Sequence, residues 1–131
     1  MDTCKGSLVL TKNEAAGRHV EAAVSAFKSG DFDICITLAG AAEGMLSDRK
    51  DAGLFSYLEE KGSRKGLIKE EWISCLNLER DWLKHLTPQL APQCEFGRDE
   101  AAMMLMRAMS LLSTWSESME QIKPVVENCF R

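Results

Sequence analysis

A chain of 131 residues is long enough to bury a single hydrophobic core without help from a metal or disulfides. Its 45% hydrophobic and 27% charged residues speak against both disorder and a membrane-embedded chain, and no apolar run approaches bilayer length. The net charge of −4 argues against a broad, sequence-independent grip on nucleic acid, which needs a basic surface facing the phosphates; only a local basic site is left open.

Residues 1–10 form a lead-in with too little apolar length for a signal peptide, so a cytoplasmic protein with no membrane partner is expected. Leu8, Val9 and Leu10 are either loosely held or folded back on the core as an apolar strap. The first firm signal is Thr11-Lys12-Asn13-Glu14, a capping box in which the two side chains satisfy free backbone donors reciprocally. Ala16, Val20, Ala23, Val24 and Phe27 follow at helical spacing, and Gly30 is a natural stop.

Asp31 or Asp33 can cap a second helix running to about Arg49, with Ile34, Leu38, Ala39, Ala42, Met45 and Leu46 inward. The tight Gly30–Asp33 connection predicts an antiparallel hairpin of the first two helices. Glu43 falls near the edge of the apolar stripe and reads as a rim carboxylate. A shorter helix is expected over 51–60, followed by a solvated basic loop, Lys61 to Gly66, whose order of residues is wrong for a phosphate loop.

The next helical region runs from Leu67 to Leu86 and ends before Pro88. If it is unbroken, Glu79 and Arg80 fall inside an apolar sector with Trp72, Leu76 and Leu83, where both charges need a partner or an interface. The alternative, which we favour, is a break near Asn77, a competent cap. After a long connection, a last strong helix is expected from around Arg98 through Trp115 or beyond, apolar nearly all round and therefore central. Four of the seven methionines lie in it, which points to core filling or a dimer contact. Residues 116–131 read as a helical tail interrupted or restarted at Pro124. The whole is one all-α domain over 1–131, an antiparallel bundle of four to six helices.

The five cysteines are widely spaced with no Cys-x-x-Cys pair, so reduced and mostly buried thiols are expected. His19, Glu43 and His85 do not make a Glu-x-x-His pair, and no metal or other cofactor is expected.

The chemistry-bearing stretch is Leu76 to His85. Four residues separate Arg80 from His85, so on one regular helix they point about 140° apart and cannot share a face. A two-fold dimer brings both copies of the motif to one axis. Arg can then hold a phosphate while His acts as acid or base, a pairing suited to metal-free RNA cleavage through the ribose 2′-hydroxyl.

Arg80-Asp81-Trp82-Leu83-Lys84-His85 resembles the HEPN signature of Arg, four to six residues and His, with a polar residue after the Arg. Leu38-Ala39-Gly40-Ala41-Ala42-Glu43 followed by Trp82-Leu83-Lys84-His85 is similar to a group of small bacterial proteins of HEPN-like fold, over most of residues 11–115. The resemblance implies a helical bundle that dimerises. In catalytically active relatives it implies a metal-independent ribonuclease, with Arg80 as phosphate binder, Asp81 as its polar neighbour and His85 as acid or base. Many HEPN-like proteins are instead non-catalytic binding modules, and the acidic charge favours that role here, as a homodimer with a partner protein or RNA. Lys84, Glu43 and His19 are the secondary binding candidates.

Overall fold

The computed structural model describes residues 6–46, 69–84 and 92–129, with side chains of the middle segment from Asn77 onward. Among these residues are five helices and no strand: α1 (Lys12–Lys28), α2 (Phe32–Met45), α3 (Lys69–Lys84), α4 (Arg98–Met109) and α5 (Glu117–Asn128). The chain is an all-α bundle. The expected helix over 51–60, the basic loop 61–66 and His85 lie outside the described residues.

Helix α1 starts as its capping box dictates. Glu14 N–H donates to Thr11 Oγ1 at 3.1 Å, and Thr11 N–H donates to Glu14 Oε1 at 2.9 Å. It stops in a Schellman turn: Asp31 N–H reaches Ala26 O, Gly30 N–H reaches Phe27 O, and Gly30 takes a φ of 79° that favours glycine. That turn lays α2 against α1 as a hairpin, the most extensive helix pairing among the described residues. The strap does not form: Leu8 and Val9 remain exposed.

Helix α2 is the hub, packed on α1, α4 and α3. Its buried face is Cys35, Ile36, Ala39 and Ala42, with Leu46 at the C-cap. Ile34, expected inward, is exposed, because it lies about 200° around the helix from Ile36. Asp31 occupies the N-cap without a side-chain hydrogen bond, and the helix ends at Met45, short of the expected Arg49. Small residues at Ala16, Ala23, Ala39, Ala42 and Ala101 let the helices approach closely around Val20, Ile36 and Leu105.

Helix α3 is continuous through Asn77, so the favoured break is absent. Trp82 meets Phe96 edge-on at 5.7 Å, which ties α3 to the segment entering α4. Helix α4 ends at Met109 and does not run through Trp115, whose indole N–H folds back to donate to Met109 O at 2.8 Å. Ser116 then caps α5. Pro124 neither interrupts nor restarts the tail: it sits inside one helix whose Ile122 and Val126 are held in the core. No helix among the described residues is long and apolar enough to cross a membrane.

One carboxylate joins α1 to α5. Glu21 accepts the hydroxyls of Ser116 and Ser118 at the start of α5, and these donors hold its pKa below the ordinary 4.5 against the opposing effect of burial. Because the folded value is depressed, the stabilisation is present above the unfolded pKa and fades as pH falls through the folded one. Glu21→Gln is expected to lower the thermal midpoint at neutral pH. Its deficit against the parent should shrink below pH 4.5; a deficit constant down to strongly acidic pH would show that the carboxylate charge is not the cause.

Candidate functional site

The polar centre of the molecule lies where α2, α3 and α4 meet. Glu43 is buried, 7% exposed, and not on a rim. A carboxylate there requires donors, and two guanidiniums supply them. Arg107 of α4 donates from Nε to Oε2 at 2.8 Å and from Nη2 to Oε1 at 2.7 Å, a two-pronged pairing. Arg80 of α3 adds Nη1 to Oε1 at 3.0 Å. Arg107 Nη2 also donates to Asn77 Oδ1 at 2.8 Å.

These bonds explain why α3 does not break. Asn77 is a buried acceptor for an arginine 30 residues away in sequence, not a helix cap. They also place Arg107, which sequence reasoning did not single out. An Arg in the middle of a helix apolar nearly all round was the available signal, because such a charge, once buried, demands a carboxylate elsewhere. Burial pulls the Arg107 guanidinium below its ordinary range, while the Glu43 hydrogen bonds and charge push it back up. It stays charged at physiological pH.

Arg80 differs in exposure. Its side chain is 24% exposed, and its Nη2 stands 3.7 Å from Asp81 Oδ1, a pair open to water. Its Nε is buried with no hydrogen-bond partner among the described residues. Two guanidiniums and two carboxylates thus form a charge-balanced group. The aliphatic stem of Arg80 lies across Gly40, where a Cβ would come within 2.8 Å of Arg80 Cδ. Beside it, Thr37, Gly40, Ala41, Arg80, Leu83 and Lys84 line a cavity of about 180 Å³.

The structure therefore brings together Arg80, Asp81, Lys84 and Glu43. His85 lies outside the described residues, so its distance from Arg80 does not enter the geometry. His19 is elsewhere, half-buried on α1, with Nδ1 2.9 Å from Ala15 O. Among the described residues no three His, Cys, Asp or Glu side chains converge as a metal site. Cys35 is buried, and burial pushes its thiol up to about 12, so it is no nucleophile; Cys94 and Cys129 are half-buried free thiols rather than buried ones.

The arrangement ties three helices together through Glu43 and Asn77. In comparisons with known proteins, the chain matches no protein-family model, no curated protein and no solved structure.

Proposed function

We propose that the chain is a HEPN-like helical module that dimerises and acts by binding a partner protein, without cleaving RNA. One observation carries this reading: Arg80, the residue that would hold a phosphate, donates to buried Glu43 at 3.0 Å. A phosphate approaching Arg80 meets the Glu43 carboxylate on one side and Asp81 on the other. Both repel it. The net charge of −4 favours a protein over a nucleic acid as partner.

The test is incubation of the full chain with mixed-sequence RNA in EDTA, together with light scattering. Wild type is expected to leave RNA as intact as buffer does and to scatter as twice the monomer mass. RNA cleavage that disappears in His85→Ala, with the thermal midpoint unchanged, would overturn the non-catalytic reading and establish the ribonuclease alternative. A monomer mass would remove the dimer.

A further inference from the structure

Among the described helices, only α2 turns a face without charge to the outside. Exposed charges stand on α1 at Lys12 and Arg18, on α3 at Lys84, on α4 at Asp99 and on α5 at Glu120. Between Ile34 and Met45 the one charged residue of α2 is Glu43, which is buried. The outward positions are Ile34, 48% exposed, with Thr37, Ala41 and Gly44 exposed and Leu38 and Met45 half-buried. Ile34, Leu38, Ala41 and Met45 recur at the alternating four- and three-residue steps of a coiled-coil seam, which takes a second helix.

The seam is complementary to itself in size. Its N-terminal half carries the large Ile34 and Leu38, and its C-terminal half the small Ala41 and Gly44. Two copies of α2 packed antiparallel about a two-fold axis level with residues 39 and 40 set Leu38 over the partner's Ala41 and Ile34 over the partner's Gly44. Parallel packing would set large on large and small on small. Glycine is unfavourable inside a helix, and a Cβ at Gly44 would meet nothing within 4 Å in its own chain. A notch for the partner's Ile34 accounts for it.

Charge selects the same orientation. Helix α3 runs antiparallel to α2 along one flank of this face: Arg80 reaches Gly40 and Glu43, whereas Leu83 and Lys84 lie with Thr37 and Ala41. A two-fold axis of this kind brings both α3 helices to the same flank and puts Lys84 level with the partner's Asp81. Asp81 and Lys84 are neighbours on one face of α3, and Lys84 makes no ion pair among the described residues. Opposite charges therefore meet twice across the axis.

We propose that the uncharged face of α2, flanked by α3, is the two-fold seam of a homodimer, packed against a second copy of itself in antiparallel orientation. The inference rests on the dimer reading above and supplies its surface. Helix α2 is about 21 Å long, and a contact two helices wide lies at the small end of stable interfaces, so the dimer dissociates on dilution.

The test is light scattering of the full-length chain over a dilution series. Ile34→Glu drives a charge into the notch and Gly44→Leu fills it; each should weaken association at least about tenfold. Both positions are exposed and both new residues suit a helix, so circular dichroism should show the helices intact. Lys84→Asp should weaken association several-fold, and adding Asp81→Lys should restore it, a rescue that a role within one chain would not give. A wild-type chain that is monomeric throughout overturns both the seam and the dimer reading, and leaves the face to another occupant. A dimer that persists undiminished in Ile34→Glu and Gly44→Leu overturns the seam alone, and failure of the charge swap to rescue overturns the antiparallel arrangement.

Discussion

Glu43→Gln is expected to destabilise the fold by about 3–5 kcal/mol, the range for removing one partner of a buried ion pair. The substitution keeps the side chain's shape and removes its charge. Arg107, 1% exposed, is then left with a guanidinium that has lost its carboxylate, and one of the new amide hydrogens faces the Arg107 or Arg80 donors. Arg80→Ala should cost far less, about 1 kcal/mol, because Arg80 is partly in water and Arg107 still satisfies Glu43. Urea unfolding of the two variants measures both. Equal losses would mean that Arg80 carries as much of the tie as the carboxylate itself and that burial does not rank the two side chains. Replacing Glu43 and Arg107 together by Leu should recover part of the Glu43→Gln loss by removing the unpaired charge, the remainder reflecting buried Asn77 Oδ1 without its donor.

Local signals in the sequence foretold local structure. The Thr11 and Glu14 pair and the Gly30 stop depend on residues a few positions apart, and α1 begins and ends where they say. Expectations failed where a distant partner changed a residue's preference. Asn77 has the chemistry of a cap, but a buried guanidinium uses its carbonyl oxygen, so the helix passes through. Trp115 looked like the end of a long apolar helix, yet its indole N–H ends that helix early at Met109. Pro124 reads as a breaker by its missing N–H, but Ile122 and Val126 are in the core on either side of it and hold one continuous helix.

The candidate site was legible in part for the same reason. Helical arithmetic placed Arg80 in an apolar sector and showed that it needed a partner there. It could not show that Glu43, 37 residues earlier, is that partner, or that Arg107 is the stronger claimant to the same carboxylate. Arg80 donates to Glu43 in the folded chain. Bound to Glu43, it is a tie between α2 and α3. Residue identity in this stretch therefore says less about chemistry than the position of one carboxylate on another helix.

The spacing of that tie can be tested at Gly40. A Cβ added there would lie 2.8 Å from Arg80 Cδ and 2.9 Å from Cγ, the stem of the side chain and not its mobile end. Gly40→Ala is therefore expected to destabilise by about 1–3 kcal/mol, as overpacking does, even though alanine favours a helix interior by up to about 1 kcal/mol. In an Arg80→Ala background both carbons are gone, and the next contact, Met104 Sδ at 3.8 Å, is ordinary packing. There the same substitution should change sign and stabilise by about 0.5–1 kcal/mol through helix propensity alone. The resulting coupling between positions 40 and 80, measured by a urea double-mutant cycle, should be of the order of 1–3 kcal/mol. If Gly40→Ala stabilises both backgrounds equally, the Arg80 stem does not lie across α2, and the commitment of Arg80 to Glu43 loses its steric basis.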